Sequence, residues 1–255
     1  DAFAADGQRW NLAPFNPRHL IKTGFAALAE TLRAQLRFAG MLRIDHILGF
    51  ERAFWVPEDA PGGYVDMPFE AMLAVAKIEA ARADAVIVGE DLGNVPNGFR
   101  DVLKYHGILG CQLAMFDDLS TPAALPDLRL LSFASHDLPT WRGWRRGADI
   151  DARAKLGSID PAANRRLKAK RKAEVAKFDK ALASTDSAGL HTHLAAQPAC
   201  LLAVQVETLL EMEDQPNLPG TIDEYPNWRQ RLTHDVDAPE VQEALRQTGQ
   251  IMDAA

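Results

Sequence analysis

Three carboxylic acids stand where an enzyme could use them. Asp45, Glu90 and Asp137 each close an apolar run, at 40–44, 85–89 and 130–134, the last through Ser135 and His136. Carboxylates gathered over one cleft repel each other and raise at least one pKa, so one acid keeps a proton to donate while another stays charged to attack. Arg43 lies two positions before Asp45, on the same side of an extended strand. A guanidinium there would hold Asp45 ionised, as a nucleophile requires. Each acid also has a duller use. Asp and Glu often cap the helix that follows a strand, and Arg43 with Asp45 could be a buried structural pair.

The elements that must position these acids follow from hydrophobic patterning. Between the runs lie helical stripes, at 24–38 with apolar residues at positions 25, 28, 32 and 36, and at 69–83. Further apolar runs fall at 110–116 and at 199–206, the last readable as a strand or as the start of a helix. Short apolar runs alternating with helices predict parallel strands in an α/β fold of the (β/α)8 barrel type, whose active site lies at the C-terminal ends of the strands. Five candidate strands are present where a closed barrel needs eight, so only part of a barrel is expected. The stretch 162–183 is helical and basic, a solvated surface helix or a site for an anionic partner. Loops fall at Ala60-Pro61-Gly62-Gly63, Ser120-Thr121-Pro122 and Asn217-Leu218-Pro219-Gly220, and none has the character of a flexible linker, so a single domain is expected.

The 255 residues are 47% hydrophobic and 25% charged, which excludes a disordered or fibrous chain. A net charge of −7 argues against a general nucleic-acid binder. Cys111 and Cys200 are too few for a disulfide framework and fit a reducing, cytoplasmic location. No secretion signal or membrane span is legible. There is no initiating Met, so the chain is expected to be a piece of something longer. Neither a dinucleotide-binding glycine run nor a phosphate-cradling loop is present.

Five segments in order resemble the 4-α-glucanotransferases (amylomaltases, glycoside hydrolase family 77). Arg43-Ile44-Asp45-His46, with Gly49-Phe50 and Phe54-Trp55-Val56-Pro57, resembles their nucleophile segment, and Val88-Gly89-Glu90-Asp91-Leu92-Gly93 their acid/base segment. Ser135-His136-Asp137-Leu138-Pro139-Thr140 resembles the third catalytic segment, and Gly7-Gln8-Arg9-Trp10 the loop beside the acceptor sites. Asn217-Leu218-Pro219-Gly220-Thr221 with Tyr225-Pro226-Asn227-Trp228-Arg229 resembles the C-terminal signature. Two departures bear on acceptor binding: Ile47-Leu48 replaces a common Phe-Arg, and Asn11 stands where Gly often follows the loop Trp.

The resemblance implies about strands 4 to 8 of a barrel, one partial catalytic domain over 1–255. An acceptor-side loop would occupy 1–20, catalytic strands and helices 21–210, and the signature with a final helix 211–255. It implies Asp45 as nucleophile, Glu90 as general acid/base and Asp137 as stabiliser of the distorted sugar. Arg43, His46, His136 and Asn217 would bind substrate. Of the five tryptophans, Trp10, Trp55, Trp141, Trp144 and Trp228, two or three are expected as sugar platforms, Trp10 and Trp55 first. No cofactor or metal is implied. The partners would be malto-oligosaccharides and starch- or glycogen-derived glucans, with no nucleic acid or membrane, and the missing N-terminal part of the same enzyme would complete the barrel. Rival readings are an α-glucan hydrolase, a non-catalytic glucan-binding fragment, and a metal-dependent barrel hydrolase using Asp45-His46, Glu90-Asp91 and His136-Asp137 as ligands.

Overall fold

A computed structural model describes residues 12–116 and 128–254. Trp10, Asn11, the Gly7–Trp10 loop and the Ser120-Thr121-Pro122 turn lie outside them. The chain divides into two compact units, Asp1–Cys111 and Gln112–Ala255.

In the first unit, helix α1 (Pro17–Lys22) starts with proline in its first turn and with Asn16 accepting the His19 N–H at 3.1 Å. Helix α2 (Ala26–Leu36) buries Leu28, Leu32 and Leu36, one residue per turn. Strand β1 (Met41–Ile44) alternates, with Leu42 and Ile44 packing into the core while Arg43 takes the opposite face. A 3₁₀ turn (Ile47–Phe50) leads into an antiparallel hairpin, β2 (Arg52–Trp55) and β3 (Gly63–Asp66). Helix α3 (Phe69–Arg82) buries Met72, Leu73, Ala76 and Ala80. Its Glu79, itself buried, accepts from Arg33 of α2 at 3.0 and 2.8 Å and from Arg82 at 2.8 Å. The Arg33 guanidinium holds that carboxyl below the usual carboxylate range. Strand β4 (Val86–Gly89), helix α4 (Phe99–Tyr105) and the first residues of strand β5 (Leu109–Leu113) complete the unit. Strand β4 runs parallel to both β1 and β5, pairing Arg43 with Val88 and Gly89 with Gly110.

In the second unit, strand β6 (Arg129–Ser132) precedes helices α5 (Trp141–Arg146), α6 (Ala148–Lys155), α7 (Pro161–Asp179) and α8 (Ser187–Ala195). Strand β7 (Leu201–Leu202) then pairs parallel with β6, and helices α9 (Val206–Leu209) and α10 (Pro239–Asp253) follow. The core centres on Phe133, whose ring meets Trp141, Trp144 and Phe178 at centroid distances of 5.0, 5.6 and 6.0 Å. Two of the five tryptophans therefore hold the fold together. On basic helix α7, Arg171 turns inward, over the Trp144 ring and bidentate with Asp149.

Parallel strands alternating with helices make this a partial (β/α)8 barrel, with five parallel strands among the described residues. No described helix is long and apolar enough to cross a membrane. Four predicted strands agree with the structure to within a few residues; the fifth, predicted at 199–206, shrinks to two paired residues and then turns helical.

His191 of α8 is 2% exposed, and its Nδ1 has no partner among the described residues. Burial pushes its pKa down to about 4. The unfolded chain takes up this proton near pH 6.5 and the folded chain near 4, so stability falls as pH drops through that window. The loss is roughly 3 kcal/mol at full protonation. Urea unfolding at pH 7.5 and pH 4 should show a steeper acid loss for the native chain than for His191→Leu, and equal slopes would sink the assignment.

Candidate active site

The first unit brings Asp45 and Glu90 to adjacent parallel strands. Asp45 follows the last residue of β1, and Glu90 follows the last residue of β4. Arg43 donates to Asp45 Oδ1 at 2.6 Å, with the carboxylate 69% exposed and the guanidinium half as much. The pair is thus open to solvent on its carboxylate side, which disposes of the buried structural pairing.

Glu90 is held by main chain. Its N–H donates to the Ile44 carbonyl (2.9 Å), and its own carbonyl accepts from the Ile47 N–H (3.1 Å). Its side-chain Oε2 accepts from the His46 N–H at 2.8 Å and Oε1 from the Leu92 N–H at 3.1 Å. The end of β1 and the segment after it are therefore stitched to Glu90 at three places, and the fourth bond closes within the segment after β4. His46 takes a left-handed backbone (φ 46°) to aim its N–H. Gly89 allows the approach, because a Cβ there would sit 2.6 Å from Ile47 Cδ1. Ile47, the departure from the Phe-Arg pattern, fills that contact and is fully buried.

Burial pushes the Glu90 carboxyl above its ordinary range. The His46 N–H opposes the shift, and the negative charge of Asp45 adds to it. The environment thus favours the protonated form of Glu90 more than water does.

Asp91, next in sequence, has a different fate. It is fully buried, accepting from Arg100 Nε at 2.8 Å and from the Cys111 N–H at 2.8 Å, so it ties β4 to α4 and β5. Cys111 lies beside Arg43, and burial pushes its thiol up.

In the second unit, Asp137 sits in the turn after β6, five residues beyond the last strand residue, rather than at the strand end as predicted. Asn217 Nδ2 donates to Asp137 Oδ1 at 2.6 Å, and Gln215 Nε2 donates to the Asp137 carbonyl at 3.3 Å. His136 Nε2 is 3.5 Å from Asp137 Oδ2, and its ring lies 5.3 Å from that of Trp228. Asp137, His136 and Asn217 therefore come together, joined by Gln215 and Trp228. The Gln215-x-Asn217 spacing, which puts both side chains toward one turn, was the available signal for the former. Trp55, on β2, is half-buried, with its indole N–H buried and unpartnered among the described residues. No group of three or more His, Cys, Asp or Glu among the described residues draws together as a metal site.

Acids seated just beyond the C-terminal ends of parallel strands, with helices between those strands, place the chain among the (β/α)8-barrel proteins. The family model of the glycoside hydrolase 77 proteins, described as 4-alpha-glucanotransferase, matches residues 1–236. The chain belongs to that family. It is 35% identical to the 4-alpha-glucanotransferase of Mycobacterium tuberculosis over 91% of its own length and 36% of that protein's. The Haemophilus influenzae 4-alpha-glucanotransferase is 30% identical over 96% of this chain and 39% of its own length. The chain thus spans little more than a third of these relatives. The crystal structure of amylomaltase from Corynebacterium glutamicum superposes with a TM-score of 0.84 at 28% identity, over 99% of this chain and 41% of that one. Amylomaltase from Streptococcus agalactiae in complex with acarbose shares the fold, with a TM-score of 0.77 at 18% identity over 99% of this chain and 49% of that one.

Proposed function

We propose that the chain carries the acid pair of a retaining 4-α-glucanotransferase, which moves α-1,4-glucan segments between malto-oligosaccharides in the cytoplasm. The observation that carries this reading is the Glu90 carboxyl, pushed up by burial next to an Asp45 that Arg43 holds. Asp45 attacks the anomeric carbon while Glu90 protonates the departing 4-oxygen, leaving a glucosyl ester on Asp45. Glu90 then takes the proton of an incoming sugar 4-hydroxyl, and the new glycosidic bond forms with retained configuration. Such a pair works with its carboxyls about 5–5.5 Å apart. Asp137, oriented by Asn217, stabilises the distorted sugar. Arg43, His46, His136, Trp10 and Trp55 bind glucan, and transfer prevails over hydrolysis when acceptor sites fill before water reaches the ester.

The five parallel strands among the described residues fall short of barrel closure, and the relatives are more than twice as long. We therefore take the 255-residue chain alone to bind glucan with little turnover, and a longer form that includes the remaining strands to be the active one. Glucose release from maltotriose is the test. A rate from the chain alone equal to that of a barrel-complete enzyme would overturn the fragment reading. No transfer by the barrel-complete enzyme would overturn the activity itself.

A further inference from the structure

Trp228 is placed unlike the other described tryptophans. Its backbone is left-handed (φ 58°), a conformation that is a genuine outlier for a bulky residue. Its side chain is 65% exposed, so packing does not account for the strain. The conformation is imposed from both sides. The Trp228 N–H donates to the Pro216 carbonyl at 2.9 Å. Asn227 accepts the Leu218 N–H through Oδ1 and donates through Nδ2 to Thr221 and Ile222. The Tyr225 hydroxyl donates to the Gln215 carbonyl at 3.0 Å. These bonds fold the 215–229 segment so that the indole lies against the His136 ring, at 5.3 Å and 43°. Asn217 of the same segment reaches Asp137 at 2.6 Å.

Backbone strain that the surroundings over-determine, on an exposed aromatic beside a proposed site, points to function rather than packing. We propose that Trp228 is a substrate-binding platform, its indole taking the C–H face of the glucose unit next to the one that His136 and Asp137 hold. The proposal rests on the glucan-binding reading above and adds a subsite to it. An aromatic face suits a sugar because the C–H face of the pyranose lies flat on the ring while its hydroxyls stay free to hydrogen-bond. The strained turn fixes the ring before substrate arrives, so less ordering entropy is lost on binding.

The test is titration of the 255-residue chain with maltoheptaose by calorimetry, for the native chain, Trp228→Phe and Trp228→Gly, alongside thermal melting. Trp228→Gly is expected to weaken maltoheptaose binding by roughly tenfold, as loss of one aromatic anchor does. Glycine carries no strain at this φ, so its melting temperature should stay within about 3 °C of the native value. Trp228→Phe keeps a ring and should bind within about threefold of the native chain, a difference well under one decade of affinity. Native-like binding by Trp228→Gly overturns the platform and leaves the glucan reading standing. A melting temperature that drops by about 10 °C or more marks a structural tryptophan instead. No binding by the native chain overturns both.

Discussion

Glu90→Gln is expected to cut transfer from maltotriose by about 10³-fold in the barrel-complete enzyme, and Asp45→Asn by at least as much. Circular dichroism of both variants should match the native protein. The reason lies in how each side chain is held. Glutamine keeps the shape of Glu90, and its carbonyl oxygen still accepts one of the two main-chain N–H groups, from His46 or Leu92. What it lacks is an acidic proton that can be given up and taken back. The sign of the accompanying pH dependence of stability is fixed as well. Glu90 has its pKa raised on folding, so the folded chain holds that proton more tightly than the unfolded one. Its contribution is fully present at low pH and is lost as pH rises through the raised value. Relative to the native protein, Glu90→Gln should therefore fare better at neutral pH than in acid, offset at every pH by the one main-chain N–H that its NH2 group cannot serve. Near-normal glucose release by either variant would remove the roles given to this pair. A variant that melts well below the native protein would make the rate loss uninterpretable as chemistry.

Asp91→Ala is expected to do the opposite, although it lies one residue away. Asp91 is fully buried, and its removal leaves the Cys111 N–H without that acceptor and Arg100 without its buried partner. Arg100 is half exposed and can turn to water, so the cost is the lost charge-assisted bond and the lost acceptor at Cys111, about 2–4 kcal/mol, still a large share of the 5–15 kcal/mol that holds a typical domain together. Urea unfolding should show a midpoint shifted far down, or no folded baseline. Asp91→Asn retains an acceptor for Cys111 but turns an NH2 donor toward Arg100 in place of the accepting oxygen, so it should fall between Asp91→Ala and the native chain. An Asp91→Ala chain as stable as the native one would show that β4, α4 and β5 are held by something else.

That contrast measures what the residues alone could reveal. The run at 85–89 was legible because a buried parallel strand reads as a continuous hydrophobic stretch, and the run at 40–44 because Leu42 and Ile44 alternate with outward positions. The acids after them were legible for the same reasons. Which of two neighbouring acids faces the cleft was not, because Glu90 and Asp91 differ by side-chain direction, and direction depends on partners far away in sequence. The hairpin of β2 and β3 escaped notice since four residues such as Arg52-Ala53-Phe54-Trp55 carry too little periodicity. Residue type also could not separate core from surface tryptophans. Trp141 and Trp144 ended in a ring cluster around Phe133, while Trp228 ended outside. Asp137 was found, but its distance from the strand end was not, because the turn is shaped by Gln215 and Asn217 nearly eighty residues later.

The bonds that seat Glu90 come from peptide groups, not side chains. Such donors survive almost any substitution at the positions that supply them; proline alone deletes them. The side chains at 46 and 92 can therefore change without removing these donors, provided position 46 keeps its left-handed backbone. Substitution at either position thus reports what its own side chain does, with the Glu90 carboxyl still seated by the same two N–H groups.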